Sequence, residues 1–378
     1  MSNMEGHGET FSMSLFFGED NMKNKTMYFI IAVCLMFLII SGCSNTENDN
    51  SVIIKVNGDD ILLTDIDLAR RQYSGRDVSD ADLLGGLIKE KIVLQYFEKN
   101  GEQISDEEVE SQYELLKTVE NGNIFYEKAL AEYGTDEKVK EAIKYRLMYN
   151  IAKESIKSEF LQVFSIDKRK INLRTEDFIA QFDLKDLSDE EREEYRQAVV
   201  KQYNDALIDE AFDLYFQVWL NKQVENSDIE YLNNTENPFV KKDIRLEDEK
   251  VYINQDEISL NEVTFTEAQE VYGNFLYLPN DMENNDGLTI LGYHDPKEQI
   301  KVLAVKYVDE SVPVNIFLGV SPDLYDLENG INFSEKDGVN TVEISIADIG
   351  VKYIISSSID KKLLEESLQE MIPYVLNS

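Results

Sequence analysis

The chain is expected to fold as α + (α+β): a mostly helical half, then a small antiparallel sheet closed by a C-terminal helix. Three observations predict this. Up to about residue 235, apolar residues recur every three or four positions, as one buried face of a helix requires. All six prolines lie at or after Pro238, so nothing breaks those helices from within. Beyond residue 235 the pattern changes to short alternating β-branched runs separated by Asn, Asp and Gly.

Helix boundaries are written as capping chemistry. Ser79 caps a helix that runs to Asn100 before Gly101, with Leu84, Ile88, Ile92 and Tyr96 as its stripe and Leu83, Leu87 and Phe97 widening it. Ser105-Asp106-Glu107-Glu108 is a capping box, and Ile104 can staple onto Val109. Gly134 and Thr135 stop one helix and start another, lined by Val139, Ile143, Leu147 and Ile151. A further box at Ser188-Asp189-Glu190-Glu191 opens a helix reaching about Val224, with Val199, Tyr203, Leu207, Phe212, Tyr215, Val218 and Trp219 as apolar positions. The stretch from about Phe164 to Leu187 reads as a connection.

Strands are expected at Lys250 to Ile253, Ile258 to Leu260, Leu288 to Tyr293, Ile300 to Tyr307, Val314 to Leu318, Thr341 to Ile346 and Val351 to Ser356. Asn285-Asp286-Gly287, Glu328-Asn329-Gly330 and Lys336-Asp337-Gly338 are turns. The last helix begins after Ser358 or Asp360, runs from about Lys361 to Met371 and stops before Pro373. An antiparallel sheet covered by a helix is the simplest assembly of these pieces.

Composition excludes several functions. Lys and Arg number 37 against 74 Asp and Glu, a net charge of −37, so nucleic acid is not a natural partner. Many of the carboxylates open helices, where they complement the macrodipole. No EF-hand spacing occurs: in Asp281-Met282-Glu283-Asn284-Asn285-Asp286-Gly287 the glycine comes one position late, and the segment reads as a turn. There are two cysteines, Cys34 and Cys43, and two histidines, His7 and His294. No Gly-x-Ser-x-Gly elbow accompanies His294, so no catalytic residue, metal ligand or cofactor is expected.

At the N-terminus Lys23 and Lys25 precede the 14-residue apolar run Met27 to Ile40, which is followed by Ser41-Gly42-Cys43. Fourteen residues are too few to cross about 30 Å of hydrocarbon at about 1.5 Å per residue. Ile40-Ser41-Gly42-Cys43 resembles the lipobox of bacterial lipoproteins. The resemblance implies cleavage after Gly42 and a diacylglycerol on Cys43, with the rest of the chain on the extracytoplasmic face, held to the membrane by its N-terminal acyl chains, palmitate among them. Met22 is the expected start, because Gly18-Glu19-Asp20-Asn21 can be encoded with a GGAG ribosome-binding string. Residues 1–21 are then an untranslated leader, 22–42 the signal peptide, 43–51 a linker, 52–235 the helical domain and 236–378 the α+β domain.

Val56-Asn57-Gly58-Asp59-Asp60-Ile61 with Thr64, the helix from Leu84 to Glu98, and Ile104-Ser105-Asp106-Glu107-Glu108-Val109 resemble, in this order, the N-terminal domain of SurA-like and PrsA-like chaperones. Val218-Trp219-Leu220-Asn221-Lys222 and Ser227-Asp228-Ile229-Glu230-Tyr231 resemble its closing helix and returning strand. The resemblance covers roughly residues 52 to 232 and implies a helical cradle for unfolded or secreted polypeptides. The inserted parvulin-type prolyl isomerase domain of many members has no room between Phe164 and Leu187. Gly292-Tyr293-His294 echoes a parvulin motif, but Asp295-Pro296 follows where a strand is needed. Thr264-Phe265-Thr266-Glu267-Ala268-Gln269, Phe275-Leu276-Tyr277-Leu278-Pro279, Val351-Lys352-Tyr353-Ile354-Ile355 and Leu363 to Met371 resemble a small sensor-like domain found in bacterial lipoproteins and on anti-sigma factors.

The expected function is therefore that of a lipid-anchored chaperone-like protein without isomerase activity. The alternatives are a dedicated partner-binding, sensor or assembly lipoprotein and, third, a peptidyl-prolyl isomerase. No peptide-binding residue is singled out by the sequence. Tyr96, Phe97, Phe125, Tyr203, Phe212, Tyr215 and Trp219 serve either the chain's own core or a client, and only a contiguous exposed patch would indicate a client.

Overall fold

The computed structural model describes residues 51–73, 78–118, 122–180, 188–239, 244–247, 250–324 and 327–374. The lipobox residues Ile40, Ser41, Gly42 and Cys43, with the leader, the signal peptide and nearly all of the linker, lie outside them. No helix among the described residues is long and apolar enough to cross a membrane.

The chain opens with a hairpin, β1 (Val52–Val56) and β2 (Asp59–Leu62), whose two-residue turn places Asn57 at φ 52° and Gly58 at φ 93°. Both positive angles match the twist of the strands, and Asn-Gly is the pair that tolerates them. Helices α1 (Leu63–Gln72), α2 (Asp80–Lys99), α3 (Asp106–Thr118), α4 (Gly122–Tyr133), α5 (Asp136–Val163), α6 (Lys168–Ile179) and α7 (Asp189–Glu225) follow. The chain then returns as β3 (Ile229–Tyr231), which pairs with β1 in a three-stranded sheet of order β2-β1-β3. Asn57 locks that return. Its N–H donates to Asp228 O at 2.7 Å, its Oδ1 accepts from Asp228 N at 2.9 Å, and its Nδ2 donates to Gln95 Oε1 at 2.8 Å.

The expected caps are in place. Ser79, Ser188 and Thr264 form reciprocal capping boxes with Asp82, Glu191 and Glu267, and Ser105 makes the same bonds with Glu108. Thr135 caps α5 after Gly134 at φ 87°. Three expectations need correction. The buried line of α5 is Val139, then Met148, Ala152, Ile156 and Phe160, while Ile151 is exposed. The helix first packs Val139 and Ile143 against α3 and α4 and later turns another face to α2 and α7, so no single stripe describes it. The connection after Phe164 contains α6, a helix capped by Asp167. The strand expected at Ile258 to Leu260 instead runs from Asp256 to Ile258, because Asn254 (φ 61°) and Gln255 alone make the turn, and Leu260 lies beyond its end.

The second half holds β4 (Ile244–Glu247), β5 (Lys250–Ile253) and β6 (Asp256–Ile258) as one small sheet. A seven-stranded antiparallel sheet follows, of order β11-β12-β13-β10-β9-β8-β7. Its strands are β7 (Asn261–Glu262), β8 (Thr289–Asp295), β9 (Ile300–Asp309), β10 (Val312–Val320), β11 (Gly330–Lys336), β12 (Val339–Ile346) and β13 (Val351–Ser357). Helix α8 (Phe265–Tyr272) and the final helix α9 (Lys361–Met371) pack on one face with Leu303, Val305, Ile316, Leu318, Val342 and Ile355. The alternate residues Val302, Phe317 and Ile354 meet Val251, Ile253 and Ile258 on the other face. Period-two alternation thus fills both sides of the sheet.

One core runs through both halves. Phe97, Ile156, Phe160, Phe212, Phe216 and Leu220 belong to the same buried cluster as Tyr272, Phe275, Leu318, Tyr353, Leu368 and Tyr374. Secondary structure changes between β3 and β4, near the expected boundary at residue 235, but the packing does not divide there. Backbone bonds reinforce the join: Asp167 N donates to Pro373 O at 2.9 Å, and Ile166 bridges to Tyr374.

Phe275 is fully buried at this join, and Phe275→Ala is expected to cost about 3–5 kcal/mol of stability in urea unfolding, the range for a large core truncation. The carboxyls of Glu108, Glu191 and Glu267 are held below the ordinary range by the backbone N–H and hydroxyl of Ser105, Ser188 and Thr264. Their stabilisation is complete above the unfolded pKa of about 4.3 and disappears as pH falls through the lower folded value. Replacing all three by Gln should therefore flatten the acid limb of a plot of Tm against pH, with the wild type losing more on acidification.

Candidate functional site

The seven aromatics weighed above divide by position. Phe97 and Phe212 are buried, and Tyr96, Phe125, Tyr203, Tyr215 and Trp219 are half-buried, so none stands in an open patch. Four of them, Tyr96, Phe212, Tyr215 and Trp219, belong to a ring-to-ring row that crosses the molecule. Tyr96 meets Trp219 edge-on at 5.2 Å, Trp219 stacks on Phe216 at 6.0 Å, and Phe216 lies 5.9 Å from Phe212. Phe160 links Phe212 to Phe164, and Phe164 lies 5.3 Å from Tyr374. The row is the chain's own core, most of it at the junction of the halves.

A second group of tyrosines lies on the helices. Tyr73 at the end of α1, Tyr133 at the end of α4 and Tyr149 on α5 are half-buried and pack against the chain's own clusters, and Tyr145 on α5 is exposed. Tyr145 is 44% exposed and donates to Glu141 Oε1 at 3.2 Å. Gln72 Nε2 donates to Tyr133 Oη at 3.0 Å, tying α1 to α4. Burial first, and the Glu90 charge second, push the Tyr149 hydroxyl up to about 12. Glu90 of α2 is exposed, and crowding by the surrounding groups raises its carboxyl, with Arg146 and Lys91 partly offsetting the rise. Glu132 on α4 is raised by burial in the same way. The result is a tyrosine group on α1, α4 and α5 with Tyr145 as its exposed member. Sequence reasoning missed it because its four tyrosines come from three helices and share no periodic stripe.

A second recess lies between the halves. It is a cleft of about 240 Å³ lined by Lys89, Gln217 and Asn221 from the helices and by Lys297, Gln299 and Asp323 from turns of the second half. Lys89 Nζ donates to Gln217 Oε1 at 3.4 Å, and Asn221 Nδ2 lies 3.4 Å from both Pro322 O and Asp323 Oδ1. Burial lowers the Lys89 ammonium, against the pull of Asp323 and Glu298. Gln299 is held at φ 54° with its Oε1 buried and unbonded among the described residues. Carboxamides that both donate and accept make this a lining for polar or peptide-like groups.

Other candidate features have structural roles. His294 is exposed on β8 opposite Lys301, and its imidazole is lowered by partial desolvation and then by Lys301. The Asp281 to Gly287 segment is a short 3-10 helix (Asn280–Asn284) that runs into a turn, in which Asn285 Oδ1 accepts from Gly287 N at 2.9 Å and Asn285 Nδ2 donates to Val308 O at 2.6 Å. Among the described residues no group of three or more His, Cys, Asp or Glu side chains converges. Arg174 of α6 is buried with its guanidinium 5.4 Å from the Tyr277 ring centre, near Tyr374, Tyr353 and Tyr203, and burial lowers its pKa. Tyrosine rings can face a desolvated cation in this way.

No protein-family model, no curated protein and no solved structure matches this chain.

Proposed function

We propose that this chain is a lipid-anchored extracytoplasmic protein of chaperone-like action, which binds unfolded or extended polypeptide without prolyl isomerase chemistry. The observation that carries the reading is the tyrosine group of α1, α4 and α5, with Tyr145 exposed and Tyr73, Tyr133 and Tyr149 half-buried. Tyrosine offers broad apolar contact with a polar tip, which suits segments of varied sequence. Covering a client's apolar surface keeps it from other chains, with a driving force of roughly 25 cal/mol per Å². The strand-turn-helix opening, the capped helices and the return of β3 to β1 support the resemblance to the SurA-like and PrsA-like domain. The lipobox at Ile40 to Cys43 supports an anchor of two or more acyl chains, since a single chain holds only marginally.

A second reading, a dedicated partner-binding or sensor lipoprotein, is favoured by the polar cleft between the halves. Its mixture of carboxamides, lysines and carboxylates suits one defined ligand better than many clients.

Light scattering of an aggregating unfolded secreted protein tests the first reading, using the chain from Ser44 to Ser378. A fragment ending at Asn237 is unsuitable, because it would expose Phe212, Phe216 and Leu220. Suppression near stoichiometric amounts is expected, and Tyr145→Ala with Tyr133→Ala should raise the half-maximal concentration about fivefold, the equivalent of about 1 kcal/mol. Absence of suppression at every ratio, with one stoichiometric complex recovered from cells, would transfer the conclusion to the dedicated partner.

A further inference from the structure

The two edges of the seven-stranded sheet are unlike. β7 is two residues long, one of the common ways of blunting an edge. β11 has seven residues, pairs with β12 from Gly330↔Ser345 to Lys336↔Val339 without a register shift, and contains no proline. All of its residues except Ile331 are exposed, so neither a helix nor a loop among the described residues covers it. Its charges, Glu335 and Lys336, sit together at the turn end. The protections that keep a sheet edge from pairing are largely missing here.

The turn fixes which backbone groups face outward. Lys336 and Val339 flank Asp337 (φ 53°) and Gly338 (φ 78°), a two-residue loop of type I′. Such a loop makes the flanking pair hydrogen-bonded, and bonded and non-bonded pairs alternate along the ladder. Lys336, Ser334, Asn332 and Gly330 therefore bond to β12. Glu335, Phe333 and Ile331 direct their N–H and C=O groups to the open side, where no backbone group among the described residues meets them. The same three side chains share one face of the sheet. Phe333 stands opposite Val342, is 43% exposed, and has Lys361 Nζ of α9 5.1 Å from its ring centre.

We propose that β11 is a docking edge, to which an extended polypeptide segment of neutral or basic charge adds as an eighth strand. The inference rests on the polypeptide-binding reading above and names its binding mode. Main-chain pairing supplies affinity independent of sequence, and Ile331 with Phe333 supplies an apolar contact for alternate residues of the incoming strand. Charge selects the occupant. The chain carries −37 overall, so two copies repel as they approach, whereas a neutral or basic segment is not repelled.

The test uses a fluorescent peptide, Lys-Thr-Val-Thr-Val-Thr-Val-Thr-Lys, with binding read by polarisation and by hydrogen exchange on the chain from Ser44 to Ser378. Binding should slow exchange at Ile331, Phe333 and Glu335. Phe333→Pro and Glu335→Pro remove only outward N–H groups, so each should keep the wild-type circular dichroism and weaken binding by at least about tenfold. Phe333→Thr keeps the N–H and should weaken it less. Equal binding by the wild type and both proline variants, with protection confined to the helices, would overturn the docking edge and leave polypeptide binding standing. Absence of binding by the wild type would remove both. Protection of the edge that grows with protein concentration without peptide, and vanishes in Phe333→Pro, would assign the edge to a second copy and overturn the partner proposed.

Discussion

Everything in this molecule depends on the burial of one helix on two sides. α7 is 37 residues long, and its C-terminal part supplies Phe212, Phe216 and Leu220 to a core that also contains Phe275, Leu318 and Tyr353. The same stretch holds Trp219 against Tyr96 of α2. Polar contacts follow the apolar ones: Glu210 of α7 meets both Lys301 of β9 and Asn274, and Lys222 lies 3.9 Å from Asp348. Directional bonds of this kind fix orientation, whereas burial of the aromatic row supplies the energy.

This arrangement bears on function by subtraction. Helical aromatics that a client might have used are committed to the chain's own second half, so a client surface must be sought elsewhere. What is left uncommitted is the exposed ring of Tyr145 on α5, the polar cleft at the junction, and the open edge of β11. The ring and the edge complement each other physically. One offers an aromatic face to side chains, the other offers unpaired main-chain groups, and an extended chain carries both kinds of partner.

The sequence made local chemistry legible. Ser79, Ser105, Thr135, Ser188 and Asp360 each announce a helix start because capping is decided within four residues. Six of the seven expected strand segments were legible for the same reason: alternation and Gly or Asn turns are short-range signals. α6 was not, since Ile171, Arg174 and Thr175 mix apolar and polar residues on its buried face. β11 was hidden because an exposed edge strand needs no apolar alternation, although the Asp337-Gly338 turn marks its partner. The shared core could not be read at all, because which helix face meets which sheet is a long-range choice. Neither could the tyrosine group of α1, α4 and α5, which is assembled from separate helices. The resemblance of Ile40 to Cys43 to a lipobox, conversely, is carried by sequence alone.

The central claim is that the helical and sheet halves form one cooperative body through α7. Native-state hydrogen exchange in increasing urea tests it most directly, comparing amides from Phe212 to Leu220 with those of β10 and β13. The account predicts one common opening free energy with one urea dependence for all three segments. Exchange of the α7 amides through a separate opening of lower energy, while β10 and β13 stay protected, would contradict it.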